Sequence, residues 1–356
     1  MQSVQSAINS LPSDSGDKLR PVRIWLYILA AAILALVAVG GMTRLTDSGL
    51  SITTWKPISG MIPPLSGADW QAEFDAYKQI PEFIQQNYWM DLAAFKAIFW
   101  WEWGHRFLGR MIGLLFAVPF VVFLVQGRLS KKLAPSLALL FLLGGFQGFL
   151  GWWMVSSGLS ARIDVSQYRL AAHLGAASIL FASIIWVARR LELPKPSNVG
   201  QTSQWGRVVL KIMALLVFLQ LIMGAFVAGL DAGYAFNTWP LMEGKWIPDG
   251  LLSLQPAWLN VFENLLTVQF THRMMGYFIG LCGIALLVFS HRNNSTLLKS
   301  WMRLIAILIF LQVALGIVTL ILVVPVPLAL GHQALAFLLL GTIVGALADT
   351  KEGQMT

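Results

Sequence analysis

Eight stretches of mostly apolar residues, each long enough to cross a bilayer, constrain this chain more than any other feature of its sequence. Hydrocarbon offers no partner to backbone polar groups, so a spanning segment must be a helix of roughly 20 residues that satisfies those groups internally. The apolar cores cover residues 24–39, 107–125, 133–155, 170–187, 208–230, 274–289, 304–324 and 328–347, numbered below as the first to the eighth span. Together with 57% hydrophobic and 12% charged residues, they predict an all-α integral membrane protein.

Lysine and arginine residues collect at alternate ends of these spans. They precede the first span and follow the second, fourth and sixth, as Lys18, Arg20, Arg23, Arg128, Lys131, Lys132, Arg189, Arg190, Lys195, Arg292, Lys299 and Arg303. Because short cytoplasmic loops carry the positive excess, both termini are expected in the cytoplasm. The first ~20 residues lack a cleavage site and an organelle presequence, which favours a bacterial inner membrane. The net charge of +8 then reflects this asymmetry across the lipid bilayer, and no nucleic-acid partner is expected.

Two longer connections are expected on the outer side, at residues 43–104 and 231–271. In the first of them, Trp70, Phe74 and Tyr77 recur at helical spacing. The sequence therefore predicts a short surface helix in this connection.

The two halves of the chain carry the same landmarks in the same order. The matched pairs are the D-x-G and T-W segments at 40–55 and 224–239, His105-Arg106 and His272-Arg273, the Q-x-x-L-G motifs at Gln147 and Gln312, and His173 and His332. An internal repeat of this kind dictates architecture. It predicts two four-helix bundles, residues 1–195 and 196–356, which form a parallel repeat because each half has an even number of spans.

Four of the five histidines occupy matched positions, while His291 lies beside Arg292 in a predicted cytoplasmic loop. An ionisable side chain inside a membrane bundle is costly and indicates a function. A closed zinc site needs four ligands, and no carboxylate or thiolate lies at a suitable offset, since Cys282 is the only cysteine. Two imidazoles in each half instead fit the two axial positions of haem iron. The alternative is four core histidines that bond to neighbouring hydroxyl or carbonyl groups.

Small residues follow the histidines at intervals of one helical turn. They are Gly109 and Gly113 after His105, Gly276 and Gly280 after His272, Ala177 after His173 and Ala336 after His332. A flat macrocycle could lie against the backbone there, although the same residues also suit close helix packing. Arg106 and Arg273 are candidates for charge-assisted hydrogen bonds to haem propionates. Their alternative role is to extend toward the membrane interface.

Seven segments of the chain resemble the haem A synthase family. They are GGMTRLTDSGLSITTWKP at 40–57, WWEWGHRFLGR at 100–110, QGFLGWWMVSSGL at 147–159, QYRLAAHLG at 167–175, GAFVAGLDAGYAFNTWP at 224–240, THRMMGY at 271–277 and GHQALA at 331–336. The resemblance implies an oxidoreductase that converts haem O to haem A for terminal oxidases. The C8 methyl group is hydroxylated twice, and the geminal diol loses water to give a formyl group.

The same resemblance implies different tasks for the two histidine pairs. His272 and His332 would ligate the iron of a haem b cofactor, whereas His105 and His173 would ligate the iron of the substrate haem. It also implies an external electron acceptor and possible contact with the farnesyltransferase that makes haem O. Some bacterial members carry a cysteine pair in the outer loop, and this chain resembles the cysteine-free branch.

The repeat fails at one position close to the histidines. Glu102 stands three residues before His105, whereas Gln269 stands three residues before His272. A carboxylate can accept a proton or stabilise positive charge, and an amide cannot. The N-terminal half is therefore predicted to hold the reacting haem, with Glu102 catalytic beside His105 and His173. The alternative is that Glu102 only pairs with Arg106 at i+4.

Two other functions share this pattern of histidines. A cytochrome b-like electron carrier would hold two permanent haems and pass electrons to a quinone. A haem transporter or delivery protein would use the histidines as transient ligands, and parallel repeats do occur in transporters. The haem types held by the purified protein would separate these alternatives.

Overall fold

The computed structural model describes residues 15–191, 204–292 and 295–350. Within these ranges eight long helices cover Ser15–Leu45, Leu92–Val125, Leu133–Val155, Gln167–Arg190, Gln204–Gly229, Leu265–Arg292, Thr296–Ile321 and Val326–Asp349. Each is long and apolar enough to cross a membrane. The predicted all-α fold of a multi-pass membrane protein is confirmed. The predicted boundary at 195/196, Lys195 and both chain ends lie outside the described residues.

Shorter helices occur in the two long connections. They cover Gly67–Tyr77, Pro81–Gln85, Ala232–Ala235 and Asn260–Glu263, with single 3-10 turns at Ser59–Met61 and Ala257–Leu259. The part of the chain that the structure describes contains no β-strand beyond an isolated bridge between Met242 and Lys245. The predicted surface helix is present, because Ser66 and Asp69 cap its first turn reciprocally.

The second helix begins at Leu92, well before its apolar core at 107. Its first turn is capped by Asp91, whose side chain accepts a hydrogen bond from the Ala94 N–H at 2.8 Å. Phe95 and Phe99 then pack in an aromatic cluster with the surface helix, which gives these extra turns a buried face. The position of His105, just before the apolar core, predicts that it opens the second span, but the structure places it well inside a continuous helix. His272 is likewise inside the helix that begins at Leu265.

The long helices pack in two closed rings. The first, second, third and fourth contact their neighbours in that order and close by contact of the fourth with the first. The fifth to the eighth form a second ring in the same way. The first, fourth, fifth and eighth helices also meet between the rings. These helix contacts are the ones expected of two four-helix bundles, which is the arrangement that the repeat predicts.

The two long connections lie at one end of the molecule, called here the loop end. Arg44, at the end of the first helix, binds Asp231, two residues after the end of the fifth helix, at 2.6 Å. At the opposite end Arg189 of the fourth helix binds Asp349 of the eighth at 2.5 Å. Ion pairs thus join the two rings at both ends.

Candidate functional site

The four matched histidines come together in pairs, one pair in each ring. His105 lies within electrostatic range of His173, and His272 lies within range of His332. Among the described helices, the second and fourth are not in extensive contact, nor are the sixth and eighth. Each pair therefore belongs to helices on opposite sides of its ring, with the centre of the ring between them.

Each histidine ring packs against a glycine of a neighbouring helix. A Cβ built on these glycines would approach the histidine Cε1 at 2.8 Å for Gly40 and His105, 3.4 Å for Gly151 and His173, 3.3 Å for Gly224 and His272, and 2.7 Å for Gly316 and His332. A larger residue at Gly40 or Gly316 would displace the imidazole, whereas the distances at Gly151 and Gly224 are close to ordinary contact. All four glycines belong to the matched segments and Q-x-x-L-G motifs of the repeat, but their contact with the histidines was not predicted from the sequence.

The glycines that follow the histidines face more open space. A Cβ at Gly113 would meet no atom within 4 Å, and one at Gly109 would meet only Leu36 at 4.0 Å. At Gly276 and Gly280 the nearest atoms would lie 3.6 and 3.8 Å away. Close helix packing therefore does not explain Gly109 and Gly113, which leave room for a flat ligand, whereas Gly276 and Gly280 also make ordinary packing contacts.

Several histidine nitrogens have no partner within the protein. The Nδ1 atoms of His105, His173 and His272 are buried without a hydrogen bond. Buried polar atoms are normally paired, so these rings have unmet bonding capacity. Within the described ranges, no three His, Cys, Asp or Glu side chains gather where they could hold a metal ion. Imidazole pairs with adjacent room fit a planar metal complex that supplies its other ligands itself, as haem does.

The second histidine pair has amide neighbours. Gln220 donates to the carbonyl oxygen of His272 at 3.0 Å, and its Nε2 lies 3.4 Å from Nε2 of the ring. Gln312 donates to the carbonyl oxygen of His332 at 3.0 Å, and its Nε2 lies 3.1 Å from Nδ1 of that ring. These contacts restrain both histidines of the pair.

The first pair lacks this support. Leu36 occupies the sequence position that matches Gln220. Among the hydrogen bonds of the described residues, none joins Gln147, which matches Gln312, to His173, although the Oε1 atoms of Gln147, Gln220 and Gln312 are alike in being buried without a partner. His105 and His173 are therefore less constrained by their neighbours than His272 and His332.

Glu102 is almost fully buried and accepts hydrogen bonds at both carboxylate oxygens. Oε2 accepts from the Ser51 hydroxyl and the Ile52 N–H, both at 2.7 Å. Oε1 accepts from Nε and Nη2 of Arg106 at 3.0 and 2.5 Å. All of these partners are donors, so the arrangement suits a carboxylate. The contact with Arg106 that was considered as an alternative is present.

Gln269 has a different set of partners. Its Nε2 donates to the carbonyl oxygen of Ala232 at 2.6 Å, and its Oε1 accepts from Arg273 at 2.8 Å. The amide is needed here because one of its two partners is an acceptor. Each residue therefore suits its own half, and an exchange would leave a repulsive contact.

Arg106 and Arg273 hold backbone carbonyls of the preceding connection. Arg106 donates to Ile52 and Thr54 at 2.8 and 3.1 Å, and Arg273 donates to Phe236 and Thr238 at 2.7 and 2.8 Å. Much of their donor capacity is therefore used within the protein. Their predicted contacts with propionates stay a prediction. His291 lies exposed in the last turn of its helix, so the loop expected there was wrong.

A cluster of charges joins the two halves at the loop end. Arg44 binds Asp231 at 2.6 Å, Asp47 at 3.2 Å and Asp164 at 3.5 Å. Asp47 and Asp231 are matched residues of the repeat, and both have a left-handed backbone, with φ of 46° and 53°. Burial raises the pKa of Asp47 and of Asp164, although Arg44 opposes the change. Arg44 thus forms an ion pair with the matched aspartate of each half.

Comparisons with known proteins agree along most of the chain. A family model described as cytochrome oxidase assembly protein, COX15-CtaA, matches residues 23–344. A protein of Parvibaculum lavamentivorans named Heme A synthase is 50% identical over 320 residues, which are 90% of this chain and 91% of its own. A protein of Maricaulis maris with the same name is 50% identical over 337 residues, 94% of this chain and 98% of its own.

Proposed function

The chain belongs to the COX15-CtaA family of cytochrome oxidase assembly proteins, and on that premise we propose that it is a haem A synthase. It is an oxidoreductase that converts haem O to haem A by oxidising the C8 methyl group to a formyl group. The observation that carries this function is the pair of histidines at the centre of each helix ring. One pair serves a retained haem and the other an exchangeable one.

The second pair, His272 and His332, holds haem b. The contacts of Gln220 and Gln312 with these histidines support this assignment, because a permanent ligand gains from preset axial groups. Haem b bound there would supply a one-electron carrier. The less constrained pair, His105 and His173, takes the iron of haem O.

Glu102 acts beside the substrate pair. Its carboxylate accepts hydrogen bonds from Ser51, Ile52 and Arg106. These bonds hold the negative charge in one position and attach the connection at residues 51 and 52 to the second helix. Stabilisation of positive charge near the reacting methyl group therefore fits its surroundings better than proton transfer, since its acceptor positions are occupied.

We also propose that the two rings are a parallel repeat of four-helix bundles in a bacterial inner membrane. Both termini are cytoplasmic and the loop end is periplasmic. Reporter fusions at Gly127 and Gly67 should read cytoplasmic and periplasmic respectively. An external electron acceptor and contact with the farnesyltransferase that makes haem O remain proposals from the family resemblance.

The test is expression in a bacterium that makes haem O and lacks a haem A synthase of its own. Extracted pigments should then contain haem A, and the purified protein should hold haem b together with haem O or haem A. A protein that holds only haem b and produces no haem A would be an electron carrier. A protein that releases haem O unaltered would be a transporter.

A further inference from the structure

The two rings differ in how closely one matched pair of helices packs. Among neighbouring helices of the described rings, the second and third make the least extensive contact, whereas the sixth and seventh make the most extensive. These two pairs match each other in the repeat. The first ring is therefore loosely closed between its second and third helices, and the second ring is tightly closed at the equivalent place.

Bulky side chains of the seventh helix close the second ring. A Cβ at Gly280 of the sixth helix would lie 3.8 Å from Val313, and one at Gly283 would lie 3.1 Å from Ile309 and 3.6 Å from Phe310. When the Q-x-x-L-G motifs are aligned, the residues of the third helix that match Ile309, Phe310 and Val313 are Gly144, Gly145 and Gly148. The first ring thus lacks the side chains that fill this space in the second.

Two of these glycines border unfilled space. A Cβ at Gly145 or Gly148 would meet no atom within 4 Å, and the same holds for Gly113 of the second helix. Gly145 and Gly148 lie on one stripe of the third helix with Phe141 and Trp152, because these residues are spaced by three or four. The contacts of the two aromatic residues therefore show what lies at each end of the stripe.

Aromatic contacts close both ends of this space. The Phe141 ring lies 5.4 Å from that of Phe116 on the second helix, at the end away from the long connections. At the loop end, the Trp152 ring lies 6.4 Å from that of Trp55 in the first connection. Between these contacts the wall of the first ring has a gap, called here the side opening, which is bordered by Gly113, Gly145 and Gly148.

The side opening adjoins the first histidine pair. Gly113 follows His105 by about two turns, or about 12 Å along the helix axis at roughly 1.5 Å per residue. Gly148 precedes by one turn Gly151, whose Cβ would lie 3.4 Å from Cε1 of His173. The Nδ1 atoms of both histidines are buried without a partner. A ligand held between these imidazoles therefore has an open path sideways toward the bilayer.

The chemistry of the side opening suits an apolar chain. The residues around it are glycines and aromatic residues, and it faces hydrocarbon, where a polar group would be costly. Haem O carries a farnesyl chain, which haem b lacks. The opening lies in the half proposed for haem O, whereas Phe310 and Val313 fill the matched place in the half proposed for haem b. Lipid surrounds both halves, so a lipid chain alone would not account for this difference.

We propose that the side opening binds the farnesyl chain of haem O and lets it extend into the bilayer. This inference rests on the proposed function, because it assumes that His105 and His173 hold the iron of the substrate. Gly145 and Gly148 leave space for the chain. The bulky residues of the seventh helix exclude a chain of this kind from the second ring.

The experiment compares the binding of haem O and of haem b, which lacks the chain. Each is titrated in its ferric form into the full-length protein in vesicles of zwitterionic lipid, and the absorbance change that His105→Ala removes is recorded. The double variant Gly145→Phe/Gly148→Val places the seventh-helix residues in the third helix. It should weaken the binding of haem O about tenfold or more, because the chain and the new side chains compete for one space. The binding of haem b should stay as in wild type.

Two further variants complete the design. Gly148→Val alone adds less bulk and should give a smaller loss for haem O in the same direction. Leu139→Phe is the control, since Leu139 is 57% exposed and lies nine residues from Gly148, on the far side of the same helix. It should change neither affinity. The haem b absorbance of the second ring should persist in all variants, which shows that they fold.

Equal weakening of both porphyrins by the double variant would mean that the space serves the porphyrin ring or the fold, and would overturn the proposal. Unchanged binding of haem O would mean that only lipid fills the side opening, and would also overturn it. A wild type without any absorbance change dependent on His105 would remove the substrate-site assignment of the proposed function itself, and this inference with it.

Discussion

The two histidine pairs share one framework and differ in what surrounds it. In both rings the histidines pack against glycines of neighbouring helices. The arginine that follows the first histidine of each pair donates hydrogen bonds to two carbonyl oxygens of the preceding connection. Around this framework the first ring places Glu102 and Arg110, and the second places Gln269 and Tyr277. Charged groups accompany the pair proposed for the substrate, and neutral groups accompany the pair proposed for the cofactor. The roles proposed for the two pairs therefore require only a few different side chains on the shared framework.

The two long connections also differ in the interactions that stabilise them. The one before the second helix packs Trp70, Phe74 and Tyr77 into an aromatic cluster and buries Glu82. The one before the sixth helix relies on hydrogen bonds, since the buried Asn260 exchanges bonds with the Leu254 N–H and carbonyl at 3.0 and 2.9 Å. A buried acid in one connection and a buried amide in the other should respond differently to pH.

The largest expected effect separates the two histidine pairs. His272→Ala and His332→Ala should each remove the haem b absorbance of the purified protein, because the iron loses an axial ligand in a site built for two. His105→Ala and His173→Ala should keep that absorbance and abolish haem A formation. His291→Ala is the control and should behave as wild type. Haem b that survives both C-terminal substitutions, or disappears with the N-terminal ones, would reverse or remove the assignment.

The second prediction makes the halves alike beside the first histidine. Glu102→Gln should lower haem A formation by about 10²-fold or more, since an amide nitrogen would face a donor and the stabilising charge would be lost. Haem b absorbance and the binding of haem O that depends on His105 should both be retained, which distinguishes lost chemistry from misfolding. Pigment extraction measures the first and absorbance titration the other two. Normal haem A production would return Glu102 to a purely structural role.

The third prediction concerns the two connections. Burial raises the pKa of Glu82 from 4.5 to about 8, and one of its oxygens has no hydrogen-bond partner. The folded protein therefore binds this proton more tightly than the unfolded chain does. Its stability falls as the pH rises from 4.5 to about 8, the two pKa values of this carboxyl group. Each pH unit there removes up to about 1.4 kcal/mol.

Melting temperatures of the protein in detergent, taken below and above the window, measure this effect. Glu82→Gln should flatten the pH dependence and raise the melting temperature on the alkaline side. Asn260→Ala is the matched variant in the other connection, and it should lower the melting temperature equally at both pH values. An unaltered pH profile in Glu82→Gln would show that this carboxyl is ionised in the folded protein.

The smallest effect tests how the halves are joined. Arg44→Gln should destabilise the protein by about 1–2 kcal/mol, because three partly exposed aspartates lose their shared cation. Asp231→Asn should cost less than about 1 kcal/mol, since this carboxylate is 45% exposed. Thermal unfolding in detergent measures both. A larger loss in Asp231→Asn than in Arg44→Gln would mean that the aspartate has a second role.

Much of this architecture could be predicted from the sequence alone. The eight spans follow from apolar runs because hydrocarbon forces the backbone to bond within each segment, which is a local requirement. The surface helix followed from the spacing of Trp70, Phe74 and Tyr77, and all three are buried in the structure. The matched histidines, and the difference between Glu102 and Gln269, were visible because a repeat aligns its own copies.

Other features depended on contacts between distant segments. The second helix extends back to Leu92 because Phe95 and Phe99 find partners in the surface helix, and no local apolar pattern announces those partners. The propionate contact proposed for Arg106 stays a prediction, and only the structure shows that Arg106 also donates to the carbonyls of Ile52 and Thr54. The contacts of Arg110 could not be predicted from the sequence, because they depend on the approach of the chain at residues 56–60. Local patterns determine which segments are helical and which residues recur, whereas the partner that satisfies each buried donor or charge is decided only when distant segments pack together.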